Sequence, residues 1–374
     1  MARKKNIIVS VTNDLSTDQR VHRVCLTLTS MGFDVTLIGR KRQHSLPLKQ
    51  RIYQTRRMRL IFTRGPLFYA EFNKRLFLYL LFHRTDVLLA NDLDTLPANY
   101  LVHVIKRTPL VHDCHEYFTG MPELNGRETV RKIWKRIERW IFPKLKSVYA
   151  VNRSIADLFM QEYGIDVKVI RNVPLSIKDD SSVDLIDSGI PAEKKIILYQ
   201  GAVNVDRGLE EAILAMKYVK TEAVLLIIGD GDIFGALVKM VKQEGLEEKV
   251  KLTGPVPLEI LHAYTRLASI GISLEKETAL NYRLSLPNKF LDYIQSFVPV
   301  LASPMIEMKT IIDRYRIGEV IRDHDPRHLA AHFDTLLGDK EKLMFYRNNS
   351  MIAAKDLCWE NEEKELKKIF EPYA

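Results

Sequence analysis

Ser285-Leu-Pro-Asn-Lys-Phe-Leu-Asp-Tyr-Ile-Gln-Ser-Phe-Val-Pro-Val-Leu-Ala302 reads as one helix running into one buried strand. Pro287 suits the first helical position, because its ring presets φ and its missing N–H is not needed there. The short apolar run Val298–Ala302 then reads as a strand covered on both faces. Working outward, the same unit recurs. Upstream, strand Ile196–Tyr199 passes through a turn at Gly201 into a helix with Leu209, Ala212, Ile213 and Met216 on one face. Further strands are expected at Ala223–Ile228, Val250–Thr253, Ser269–Ser273 and Glu319–Ile321. Asp325-Pro326 caps and opens a helix to about Leu337.

The first half alternates in the same way. Candidate strands are Asn6–Val11, Asp34–Gly39, Met58–Phe62, Asp86–Ala90, Pro109–His112, Ser147–Val151 and Val167–Ile170. Helical patterns lie at Thr17–Ser30, Leu96–Lys106, Glu128–Phe142 and Ile155–Tyr163. Near-continuous apolar strands alternating with amphipathic helices imply α/β domains with doubly wound parallel sheets. A polar stretch, Ser176–Gly189, separates the two series and reads as a linker. The expected domains are therefore 1–175 and 190–350.

Charge divides along the same line. Residues 1–175 carry 30 Lys and Arg against 15 Asp and Glu, and the remainder 26 against 32. A basic first half points to an anionic partner there. Cys25, Cys114 and Cys358 lack any paired spacing, so they read as reduced thiols in a cytoplasmic protein. Ile7–Val11 is too short for a secretory signal, and Leu76–Phe82 is far short of the ~20 residues that span a bilayer. A soluble or at most peripheral protein is expected.

Several motifs end strands, where α/β sheets bind ligands. Lys289 and Asp292 stand three apart, so they share a helical face behind an anion-favouring N-terminus, and Asn288 beside them is a further donor-binding candidate. In the loop Gln200–Gly208, Gly201 permits close backbone approach and Arg207 offers a fixed cationic fork for a diphosphate. Ile228-Gly229-Asp230-Gly231-Asp232 is half of a dinucleotide fingerprint without its third glycine. Gly254-Pro255 ends the next strand, with bare backbone for a nucleobase edge. In the first half Asn13, Asp14 and Asp18, then Asn91 and Asp92, then His112-Asp113-Cys114-His115-Glu116 should gather at one sheet edge. His115 is read as a substrate-facing base or hydrogen-bonder, and no metal is expected. Arg40–Arg64 holds nine Lys and Arg and no acid, with aromatic and aliphatic residues interleaved to Phe72. That patch fits an anionic membrane face or a phosphate backbone. Serine-hydrolase elbows and Walker loops are absent from the sequence.

In their order, Asn13-Asp14, Asp18-Gln19-Arg20, Asn91-Asp92-Leu93-Asp94, His115-Glu116, Gln200-Gly201, Arg207-Gly208 and Leu286-Pro287-Asn288-Lys289 resemble the retaining glycosyltransferases of family 4, which have the GT-B fold. The resemblance covers nearly the whole chain. It implies two Rossmann-like domains facing across a cleft, the second binding a nucleotide sugar and the first an acceptor. It also implies a final helix, 355–374, that packs back onto the first domain. Arg207 would contact the donor diphosphate, Asp292 the ribose hydroxyls, and His115 the transferred sugar. The family's first glutamate has no counterpart, since Leu284 holds its place; Glu275 or Glu277 is the candidate sugar contact. Ala202 stands where an arginine is usual, and Lys289 is expected to supply that charge.

The resulting expectation is a metal-independent transferase without a cofactor. It would move sugar from a UDP- or GDP-sugar to a glycan or lipid-linked acceptor, with Arg40–Phe72 docking on the inner membrane face. A nucleotide-sugar epimerase could share the layout but needs no acceptor. A nucleic-acid-binding protein would leave Arg207 and Asp292 idle, and no nucleic-acid partner is expected.

Overall fold

A computed structural model describes residues 3–16, 18–43, 45–176, 190–191 and 193–374. Thr17, and residues 177–189 of the expected linker, lie outside the described residues. The chain divides into two units, residues 1–172 with 361–374 and residues 173–360.

The first unit is built on seven parallel strands, β1 (Asn6–Asp14), β2 (Asp34–Lys41), β3 (Gln54–Arg59), β4 (Val87–Asn91), β5 (Leu110–Cys114), β6 (Ser147–Ala150) and β7 (Val167–Val169). Their order is β3-β2-β1-β4-β5-β6-β7. The central strands β4 and β5 are buried along their whole length, as a sheet covered on both faces requires. Strand β3 lies earlier than the expected Met58–Phe62. It is an edge strand of mostly exposed polar residues, so its pairing with β2 fixes it and no apolar run announces it. The helix Gly65–Phe82 also escapes a periodicity reading, because it is apolar nearly all round. It buries Phe68, Phe72, Leu76 and Leu80 at four-residue spacing.

The second unit has six parallel strands, β8 (Lys195–Gln200), β9 (Ala223–Ile228), β10 (Val250–Gly254), β11 (Ile270–Ser273), β12 (Val300–Ala302) and β13 (Gly318–Val320). Their order is β10-β9-β8-β11-β12-β13. Ile197, Tyr199, Leu225, Ile227 and Ile272 form one face of its core against Ile213, Met216, Phe333 and Leu337 of the covering helices. Burying each such side chain is worth about 1.5–3 kcal/mol.

Two boundaries differ from expectation. Pro287 is the N-cap of helix Asn288–Gln295 rather than its first residue, with ψ of 138°. The segment returning to the first unit starts at Asn361, not 355. Residues 355–360 are held by the second unit, where Gln295 Nε2 donates to the Ala354 and Leu357 carbonyls and Trp359 N–H donates to Pro174 O. In the helix Trp359–Phe370 the buried positions are Trp359, Glu362, Leu366 and Phe370, with Ile369 only half-buried. Glu362 is ion-paired to Arg171 at 2.6 Å and also accepts the Arg171 backbone N–H.

Candidate functional site

Strand order reverses between β8 and β11 in the second sheet, and the loops leaving these strands carry the predicted donor residues. Gly254, Gly229 and Gly201 lie side by side at the ends of β10, β9 and β8. The Gly229 N–H donates to Gly254 O at 3.0 Å, and the Gly201 N–H donates to Ile228 O at 2.9 Å. A Cβ on Gly229 would stand 1.8 Å from Gly201 O, so only glycine fits, whereas the space beside Gly201 (φ 119°) is open. Gly231 follows in the same turn, against Val203 and Asn204.

Beyond Gly201, Arg207 precedes the helix Leu209–Ala215 and lays its guanidinium over the Tyr282 ring, 4.8 Å from the centroid. Its side chain is 19% exposed and stands 3.3 Å from Glu275 Oε1. Lys289 reaches the same oxygen at 2.6 Å and lies over the Tyr199 ring. The second Glu275 oxygen accepts the Ser273 hydroxyl at 2.7 Å. Burial alone would raise the Glu275 pKa, but Lys289 and Arg207 bring it below the usual range. Glu275 is thus a fully buried carboxylate that clamps two cations, not an oxygen presented to a sugar. Lys289 is correspondingly buried and engaged, so Arg207 is the cation of this pair that reaches outward. Among the described residues, buried Arg207 Nε has no hydrogen-bond partner. Glu277 is exposed on the following stretch, and Asn288 is exposed at the start of its helix.

Asp292 accepts from Gln200 Nε2 at 3.2 Å, and Gln200 Oε1 is held by the Thr265 hydroxyl at 2.7 Å. Lys289 and Asp292 therefore address neighbouring residues, Tyr199 and Gln200, at the end of β8. Helical spacing puts them there, as expected. Tyr199, Ser273 and Tyr282, which complete the cluster, are contributed by tertiary contact and carry no sequence signal of their own.

In the first unit the structure brings Asn91, Asp92 and His115 together. The His115 N–H donates to Asp92 at 2.8 Å, and its ring nitrogens face Asp92 at 3.3 Å and Asp113 at 3.0 Å. Asn91 Oδ1 lies 3.1 Å from Nε2. Asp113 also takes a two-pronged contact from Arg20, at 2.7 and 3.1 Å, and both residues are buried. Burial lowers the His115 pKa, yet Asp92 and Asp113 outweigh it and push the group up to about 9. Protonation of His115 is thus favoured, and of the two roles expected of it, base or hydrogen-bonder, its surroundings suit the hydrogen-bond donor. His112 is pushed down to about 4 by burial and is neutral, its ring bonded to Ala90 O. Asn13 and Asp18 do not join this group: Asn13 donates to Asp18, which caps the helix Gln19–Ser30. Asp14 binds Ser16 and Ser45 and faces Arg57 at 3.7 Å.

A pH dependence follows. The folded-state pKa of His115 lies above 6.5, so its stabilisation is whole below pH 6.5 and is lost as pH rises towards about 9. In urea unfolding, wild type should lose more stability over that interval than His115→Gln, by upwards of about 1 kcal/mol. Equal losses would show that the imidazolium is not held by Asp92 and Asp113.

The basic stretch Arg40–Phe72 is only partly a surface. Tyr53, Phe68 and Phe72 are buried, with Arg51 bonded to the Tyr53 hydroxyl and Arg40 over the Phe68 ring. Among the described residues its outward large apolar side chains are Leu46, Ile52, Ile61, Phe62 and Leu67, the most exposed being Ile61 at 77%. No helix among the described residues is long and apolar enough to cross a membrane.

Residues 18–175 match the family model described as Glycosyltransferase Family 4, and residues 182–351 that described as Glycosyl transferases group 1. No curated protein matches the sequence. Among solved structures, the sucrose-phosphate synthase of Thermosynechococcus elongatus is similar with a TM-score of 0.78 at 15% identity, covering 99% of each chain. A glycosyltransferase from Rickettsia africae ESF-5 gives 0.75 at 14%, covering 98% of this chain and 99% of that one. Anabaena HepE, solved in complex with UDP-glucose, gives 0.74 at 14%, again over 98% and 99%. At such identities the likeness shows the fold alone. With the two family models matching successive halves, the chain belongs to the glycosyltransferases of the GT-B fold.

Proposed function

We propose that the chain moves a sugar from a UDP- or GDP-sugar to a glycan or lipid-linked acceptor, with retention of anomeric configuration and without a metal. The observation that carries this reading is Arg207. Its guanidinium, carried on the loop that follows Gly201, lies over the Tyr282 ring and is 19% exposed. A diphosphate would meet the exposed part of that guanidinium, together with the amides of the loop, and the charge growing on the leaving group would be neutralised there. Asp292 would accept the ribose hydroxyls beside Gln200. HepE is solved with UDP-glucose, which favours a nucleotide sugar as donor.

In the proposed step the bond from the anomeric carbon to the diphosphate oxygen breaks as the acceptor oxygen bonds to that carbon. The acceptor proton passes to the departing phosphate oxygen. Glu275, the carboxylate beside Arg207, has both oxygens engaged. That arrangement favours direct attack by the acceptor over a covalent sugar–enzyme intermediate. On the first unit, His115, Asn91 and Asp92 would form the acceptor-side edge.

The test is transfer from UDP-glucose, UDP-galactose, UDP-N-acetylglucosamine and GDP-mannose to octyl glycosides, with proton NMR of the product anomer. An axial donor bond should remain axial in the product, at an unchanged rate in EDTA. An inverted product, or activity abolished by EDTA, would refute the proposed chemistry.

Membrane association forms part of the proposal and rests on Ile61, Phe62 and Leu67 beside Arg59 and Arg64. Flotation with phosphatidylglycerol vesicles should exceed flotation with phosphatidylcholine vesicles, and Ile61→Ser with Leu67→Ser should remove the difference. Equal flotation on both lipids would remove the patch from the account.

A further inference from the structure

We propose that the chain pairs with a second copy of itself through the outer face of the helix Lys340–Asp356, the two helices running antiparallel about a two-fold axis at Asn348. The inference is independent of the transferase reading. Asp339 caps this 17-residue helix by accepting the Lys342 N–H at 2.9 Å. One face is fixed to the second unit, where Ser350, Ala353 and Ala354 are buried. On the same side the Tyr346 hydroxyl donates to Glu319 at 3.2 Å, Arg347 to Ala268 O at 2.9 Å and Asn349 to Arg316 O at 2.8 Å. With these contacts made, the helix cannot turn to bury what lies opposite.

The opposite face is apolar and open. Met344, Phe345, Met351 and Ile352 are all exposed, from 42% at Phe345 to 63% at Ile352. Arg316 flanks them, its guanidinium 5.0 Å from the centroid of the Phe345 ring. At 3.6 residues per turn these four, with Glu341, Asn348 and Lys355, fall in one stripe about 120° wide. All seven side chains are exposed. Scattered apolar residues on a surface are ordinary, but four on a seven-residue repeat make the seam of a paired helix.

The order along the stripe names the occupant. Met344 and Ile352 each stand four residues from Asn348, Phe345 and Met351 three, and Glu341 and Lys355 seven. An antiparallel copy therefore sets apolar against apolar, Asn348 against Asn348, and Glu341 against Lys355 of the second copy at both ends. Two-fold pairing requires a surface that is complementary to itself in this way. A parallel copy would oppose acid to acid and base to base. A lone asparagine within an apolar seam also fixes register. With one acid and one base, the stripe lacks the basic excess that an anionic lipid face attracts.

The test is sedimentation equilibrium of the full chain between about 1 and 200 μM, where a seam this small should associate. The weight-average mass should climb from one chain towards two. Glu341→Lys or Lys355→Glu alone should weaken the dimer about tenfold, and the two together should restore it. Met351→Ser with Ile352→Ser should abolish it without moving the melting temperature, since both positions are exposed. Asn348→Cys should give a covalent dimer on oxidation, because Cys25, Cys114 and Cys358 are buried. A monomer at every concentration, a dimer indifferent to these changes, or single swaps that the double swap fails to rescue would overturn the pairing. A chain that stays monomeric but floats with vesicles, losing flotation in Met351→Ser with Ile352→Ser, would give the face to a lipid surface instead.

Discussion

Arg207→Ala is expected to lower the rate of sugar transfer about 10²–10³-fold, the usual cost of removing one charged donor from a developing oxyanion. The fold should survive. Glu275 keeps Lys289 at 2.6 Å, so its buried charge stays paired when the longer Arg207 contact at 3.3 Å is lost. Arg207→Lys should fall between wild type and alanine, because it keeps a charge but loses the planar fork that spans two phosphate oxygens. Lys289→Ala should behave differently. It removes the shorter partner of a fully buried carboxylate and should lower the melting temperature of the second unit as well as the rate. Steady-state kinetics with melting curves for all three variants checks this. A rate unchanged in Arg207→Ala would remove Arg207 from the donor site.

Arg20→Ala is expected to destabilise the first unit by about 3–5 kcal/mol, the cost of leaving a buried charge without its partner. The Arg20 guanidinium makes two contacts with Asp113 and a third with Ile170 O at 2.8 Å. Asp113 is fully buried, and its pKa is driven well down despite burial because Arg20 and His115 both face it. Without Arg20, Asp113 would keep the His115 ring at 3.0 Å but lose its two-pronged cationic partner. The loss amounts to a large part of the 5–15 kcal/mol that holds an ordinary domain folded. Urea unfolding followed at probes in each unit is the measurement. The first unit should unfold at lower urea while the second keeps its midpoint and its nucleotide binding. A midpoint unchanged in the first unit would show that the pair contributes nothing.

Much of this architecture is legible in the chain, and the places where it is not have physical reasons. The buried strands β4, β5, β8, β9 and β11 announce themselves because both faces are covered and each carries a short apolar run. Strand β3 does not, because an edge strand is fixed by its neighbour's hydrogen bonds and its side chains face water. The donor loop is legible because Gly201, Arg207 and the 289/292 spacing act locally. The role of Glu275 is not. Sequence offers it as a sugar contact, and only the fold shows Ser273, Arg207 and Lys289 converging on it. His115 is a similar case. Its position at a strand end is local, but its charge comes from Asp92 and Asp113, which are set by the pairing of β4 with β5.

Thermal stabilisation of the purified protein by UDP, GDP, ADP and CMP, repeated with Arg207→Ala and Asp292→Ala, tests the donor site most directly. A nucleotide at about a hundred times its Kd adds about 2.7 kcal/mol to the folded state, enough to move the midpoint by several degrees. One uridine or guanosine nucleotide should stabilise the wild type, and both variants should lose most of that shift. Stabilisation by none of the four, or a shift retained in both variants, would contradict a nucleotide sugar held by Arg207 and Asp292.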